Sequence, residues 1–218
     1  MFARLLVALC CLLNTALCFG QTEPVSPSEH RIVVYLRAAS PQPALPLGEM
    51  KRETGLLMDA AGYRLSWKTL SDQDSVEDAS VVVVELRGSC NPPPTSKLKT
   101  APAPASLAST AVVNGEVLPF SWVQCETLAN LLSAPLAREP EFKRQLLYGR
   151  AMGRLIAHEL FHILANTEKH DRAGIAKTSF SSTDLLAERF RFEATTLAKL
   201  RDTTPADSDT DDYVAVGR

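Results

Sequence analysis

Between residues 141 and 165 the chain sets apolar side chains at helical spacing: Leu146, Leu147, Met152, Leu155, Ile156, Leu160, Ile163 and Leu164. So broad a stripe predicts a long helix with one side buried, and the rest of the chain must supply what buries it. Pro140 suits the first turn, where a missing N–H costs nothing. Asn166 suits the end, because asparagine tolerates the left-handed backbone found just past helices.

The flanking segments carry shorter signals. Residues 30–38 (HRIVVYLRA) are rich in β-branched side chains and predict a strand. Residues 46–61 read as a helix through Leu47, Met50, Leu57 and Ala61, with Gly62 as its stop. Residues 63–70 alternate, placing Tyr63, Leu65, Trp67 and Thr69 on one face of a strand. Residues 81–86 form a continuous β-branched run, as expected of a buried central strand. Residues 91–106, dense in proline, alanine and serine, read as a surface loop. Asn114-Gly115 between residues 110–113 and 117–124 predicts a hairpin. Residues 126–137 suggest a short helix, and Thr183 is placed to cap a final helix from Asp184 to Leu200. This order predicts an α+β fold over residues 30–201, one domain with a twisted mixed sheet of about five strands packed on helices.

Residues 1–20 read as a secretory signal. Arg4 supplies the positive start, residues 5–13 the apolar run, and Cys18-Phe19-Gly20 the small residues for cleavage after Gly20. Residues 21–29 read as a linker and residues 202–218 as a disordered acidic tail. Of five cysteines, Cys10, Cys11 and Cys18 leave with the signal. Cys90 and Cys125 remain and are expected to form a disulfide in an oxidising compartment, stabilising the domain by ~3–4 kcal/mol. A secreted or periplasmic protein follows, monomeric and without stable membrane association once cleaved. The net charge of −2 and the lack of a basic cluster exclude nucleic acid as a partner.

The long helix also carries chemistry. His158 and His162 are four apart, so their side chains sit about 40° apart on one face, one turn above the other. Both imidazoles can then reach one zinc ion. Glu159 is next to the first histidine and can reach a zinc-bound water as general base without being a ligand. A catalytic zinc needs a third protein ligand and an open position. His170 is the candidate, with Glu188 as the alternative and then Glu168 and Asp184. The ring nitrogens of His158, His162 and His170 should converge to within about 3–4 Å of one another.

HELFH is the HExxH signature of the zincin metallopeptidases, which this chain resembles at residues 158–162. The resemblance implies His158 and His162 as zinc ligands, Glu159 as catalytic base and a peptide or protein as substrate. The segment HELFHILANTEKHD also resembles the longer metzincin motif HExxHxxGxxHD, with departures. Ala165 stands where a metzincin has glycine, and Glu168 stands where it has its third histidine. His170-Asp171 reproduces the closing His-Asp pair two residues late, and no methionine follows Met152. The order of elements is similar to the metzincin N-terminal subdomain, whose upper sheet holds extended peptide along an edge strand. The stretches VLPFSWVQCETL and HELFHILANTEKH are also similar to uncharacterised secreted bacterial proteins.

Two functions are therefore expected from different classes. One is a secreted zinc peptidase, with an edge strand near residues 117–124 pairing with its substrate. The other is a catalytically inactive zincin-shaped binding or envelope protein. Trp67 and Trp122 are expected in the core or lining the cleft, and Ser181-Ser182-Thr183 as capping residues. Arg189 and Arg191 are expected on a solvated face, and Tyr148 out of reach of the metal.

Overall fold

The computed structural model describes residues 30–69, 71–72, 79–92 and 106–202. The expected signal (residues 1–20) and linker (residues 21–29), residues 203–218 and most of the 91–106 loop lie outside the described residues. The chain runs β1 (His30–Ala38), α1 (Ala44–Asp59), β2 (Tyr63–Lys68), β3 (Ser80–Arg87), β4 (Ala108–Val113) and β5 (Glu116–Gln124). Four helices follow: α2 (Cys125–Leu136), α3 (Glu141–Leu164), α4 (Ser182–Leu186) and α5 (Ala194–Asp202). The fold is α+β, with a five-stranded mixed sheet and five helices among the described residues. None of these helices is long and apolar enough to cross a membrane.

The sheet order is β2-β1-β3-β5-β4. β1 runs parallel to β2 and β3, β3 runs parallel to β5, and β4 closes the hairpin antiparallel to β5. Asn114 (φ 53°) and Gly115 (φ 81°) take the left-handed backbone that a tight two-residue turn demands. β3 is central, as its composition predicted, but it is not buried throughout. Val82, Val84 and Leu86 are buried, while Val83, Glu85 and Arg87 on the opposite face are only half-buried. The core, with its helices, lies against one face of the sheet, so only alternate residues are covered.

The hairpin corrects the expected edge. The strand at residues 117–124 is not at the edge, because β5 is flanked by β3 and β4. The earlier strand of the hairpin, β4, lies outermost. Its ladder is also irregular. Thr110 pairs with Ser121 and Val112 with Val117, so β5 passes four residues while β4 passes two. Pro119, which has no N–H to give the ladder, sits in that bulge.

The cores of α1 and α3 lie in close contact. A Cβ at Gly153 would stand 2.7 Å from the carbonyl oxygen of Met50, and one at Gly149 would collide with that of Pro46. These two glycines, one turn apart, let the helix backbones approach. Thr54 uses the same closeness, donating its hydroxyl to the carbonyls of Met50 (2.8 Å) and Gly153 (3.2 Å). The next residue, Arg154, is 1% exposed. Its Nε donates to Glu53 at 2.9 Å, and its Nη1 donates to the carbonyls of Asp184 and Leu185, each at 3.0 Å. A buried guanidinium thus joins α3 to α1 and α4.

Cys90 and Cys125 form a disulfide, with Cα atoms 4.8 Å apart. They lie just past the C-terminal ends of the parallel neighbours β3 and β5, so the bond staples the two strands where α2 begins. Buried Tyr148 on α3 donates its hydroxyl to the Cys125 carbonyl at 2.7 Å. Trp67 packs against the core, as expected. Trp122 does not line the core: its face of β5 pairs with Glu85, and Arg87 stacks 4.3 Å over its ring.

The expected final helix is interrupted. Ser181, not Thr183, is the cap: it accepts from the Asp184 N–H, and the Asp184 carboxylate accepts from the Ser181 N–H. The short α4 stops at Leu186, and helix resumes only at Ala194. Tertiary bonds hold the intervening stretch open. The Arg191 carbonyl accepts from the Ile175 N–H at 3.0 Å, and buried Phe192 packs on Phe161 with ring centroids 6.3 Å apart. A continuous helix would forfeit both.

Candidate metal centre

The last turns of α3 carry His158 (5% exposed), Glu159 (4%) and His162 (7%) beneath β4. Their helical spacing behaves as expected: the two Nε2 atoms lie 3.0 Å apart. Each Nδ1 meets a backbone carbonyl, His158 at Ile175 (2.7 Å) and His162 at Thr167 (2.7 Å). A carbonyl only accepts, so each Nδ1 must carry the proton. Both Nε2 atoms of the neutral rings are then bare acceptors facing each other. A cation shared between them relieves that repulsion, so the donor set fits a metal ion.

Asn166 turns the chain back, with φ of 42°. The Thr167 N–H returns to the His162 carbonyl at 3.0 Å. This reversal brings His170 to the pair, with its ring centroid 5.2 Å from His158 and 4.7 Å from His162. One ligand atom from each histidine lies within 4.8 Å of the others, close enough to bind one metal ion. The triangle is wider than the expected 3–4 Å because the exposed His170 stands off from the tight helical pair.

The competing ligands lie elsewhere. Glu188 lines a separate cleft with Arg52, Arg150 and Arg189, since the break after α4 carries it off the helix expected to present it. Asp184 is engaged by Ser181 and by Lys177, whose Nζ is 2.7 Å away. Glu168 is exposed at the rim of the histidine cleft. Arg189 and Arg191 are exposed, as expected, and border that separate cleft.

The loop carrying His170 is anchored from behind. Asp171 accepts from Lys199 at 2.6 Å and from the Thr196 hydroxyl, both on α5, and its N–H bonds the Ala176 carbonyl at 2.8 Å. Ile175, fully buried, gives its N–H to Arg191 and its carbonyl to His158. The interrupted helix region therefore braces His158 through one residue. Phe180 closes the other side, edge-on to His158 with centroids 5.1 Å apart.

Electrostatics favour the states that ligands need. Burial, helped by the rings of His162 and His170 and opposed by the Ile175 hydrogen bond, pushes the His158 imidazole down to about 3. Burial also lowers His162 and His170. Neutral imidazole is the form that binds a metal. Glu159 moves the other way: burial pushes its carboxyl up to about 7, opposed by a hydrogen bond from Thr110. The Thr110 hydroxyl donates to Glu159 Oε2 at 2.7 Å. A carboxyl near 7 can both take and return a proton at neutral pH.

These groups line a cleft of 310 Å³ between the end of α3, the 167–178 loop and β4. Thr110 and the backbone acceptors at Ile175 and Thr167 were not anticipated. The acceptors have no side-chain signature, and Thr110 lies far from the histidines in sequence. Comparison with family models, with curated proteins and with solved structures found no match.

Proposed function

We propose that this chain is a secreted zinc-dependent peptidase, in which His158, His162 and His170 hold the metal and Glu159 is the general base. The observation that carries this reading is the convergence of three imidazoles beside a buried carboxylate in a cleft bordered by an outermost strand. An all-imidazole donor set suits zinc, and three protein ligands leave a position open. Zinc bound there supplies Lewis acidity, polarising a scissile carbonyl and acidifying water. Glu159 takes the proton of the attacking water and delivers it to the leaving amine. β4 offers its outer edge to an extended peptide by strand addition, a role first expected of residues 117–124. The disulfide supports an oxidising compartment outside the cytosol.

Metal analysis and casein cleavage by the purified protein test the reading. Stoichiometric zinc should disappear in His162→Ala, whereas Glu159→Ala should keep zinc and lose ~10²–10⁴-fold in turnover. Full activity in Glu159→Ala refutes the assignment. Bound zinc without cleavage of any substrate returns the protein to the inactive binding class.

A further inference from the structure

Thr110 occupies a position no other described residue shares: its backbone belongs to the edge strand β4 and its hydroxyl reaches Glu159. Its ladder partner Ser121 is fully buried, so both point to the helical side of the sheet. The bulge at Pro119 begins immediately beyond this pair, where β4 changes register against β5. Bulges commonly re-aim a side chain next to a site. The Thr110 Oγ1 lies 2.7 Å from Glu159 Oε2 and 3.3 Å from the Glu159 backbone carbonyl. With the carboxyl ionised, the shorter contact is a charge-assisted bond. No described residue bonds Oε1, and that oxygen is not among the sealed, unsatisfied atoms.

We propose that Thr110 is a positioning residue for Glu159, tethering one carboxylate oxygen and leaving the other directed to the cleft. A peptide added along β4 would then take its register from the same residue that fixes the base. Strand and base cannot drift apart, because one residue belongs to both. The geometry stands on its own; the kinetic consequence rests on the peptidase reading.

Thr110→Val keeps the strand-forming shape and removes the donor, while Thr110→Ser keeps the donor. In the full chain, Thr110→Val should lower kcat by ~10–100-fold, with KM and zinc content unchanged, and Thr110→Ser should restore most of it. Crystal structures should show the Glu159 carboxylate displaced in Thr110→Val and in place in Thr110→Ser. Wild-type kcat in Thr110→Val, or an unmoved carboxylate there, overturns the proposal. Equal loss of activity and zinc in both variants also overturns it, in favour of a structural role. Should the unaltered protein bind zinc but cleave nothing, the peptidase reading fails, and the carboxylate position in the two variants still decides the tether.

Discussion

The two halves of α3 are built by opposite means. The first half, around Gly149, Gly153 and Arg154, is fixed by close packing against α1 and a buried ion pair. The second half, with His158 and His162, is fixed by backbone carbonyls from a loop, at Ile175 and Thr167. Packing tolerates little change in volume, whereas a carbonyl cradle tolerates movement but demands a fixed direction. Stability and metal binding should therefore be separable along one helix.

The harshest way to break that division is Arg154→Leu. It leaves buried Glu53 with only the half-exposed Arg52, 3.6 Å away, and the Asp184 and Leu185 carbonyls without their donor. A loss of ~3–5 kcal/mol is expected in urea unfolding, with the metal affinity of the folded fraction little changed. Gly153→Ala comes next: its new methyl would meet backbone, which cannot swing aside. A destabilisation of ~1–3 kcal/mol should appear as a lowered denaturation midpoint.

Asp171→Asn probes the second half. It loosens the His170 loop from Lys199 and leaves the α1–α3 contact alone. Zinc affinity, measured by competition with a chelating dye, should fall ~10-fold while unfolding shifts little. An equal loss of stability would mean that the two halves form one unit.

The smallest effect concerns pH. Lys177 and Ser181 hold the Asp184 carboxyl down at about 2, against desolvation, which raises it. A depressed carboxyl stabilises the fold above its unfolded value, near 3.9, and that contribution is lost as pH falls towards about 2. Solvent screening keeps it below ~1 kcal/mol. Thermal melts of wild type and Asp184→Asn should be furthest apart above pH 4, with the wild type more stable, and should converge as pH falls to about 2.

Local patterns were legible in the sequence. β1 spans the residues its composition marks, α3 ends within a residue of its expected end, and Asn-Gly makes the hairpin turn. Each depends on neighbours in the chain. The helix broken after Leu186 was not legible, because the Ile175–Arg191 bond and the Phe161–Phe192 contact that hold it open join distant segments. Strand order within the sheet was hidden for the same reason, so the outermost strand was misplaced by one. At the site, two histidines one turn apart announced themselves, and Asn166 gave the reversal that brings in His170. Glu188 was the alternative as a carboxylate on a following helix, and the break between Leu186 and Ala194 leaves it off any helix, in a separate cleft.

β2 and β4 each keep an unpaired side among the described residues, and β2 (YRLSWK) carries Arg64 and Lys68 on its edge whereas β4 carries no such charge. Most proteins blunt such a border with lysine, proline or a very short strand. The run ASTAVV has no charge and no proline, and Val112 and Val113 are 38% and 52% exposed. A border left open to one extended chain is open to others, including unfolded copies of the same protein. Access to the cleft thus comes with a standing risk of aggregation, and refolding yield should be most sensitive to protein concentration through this strand.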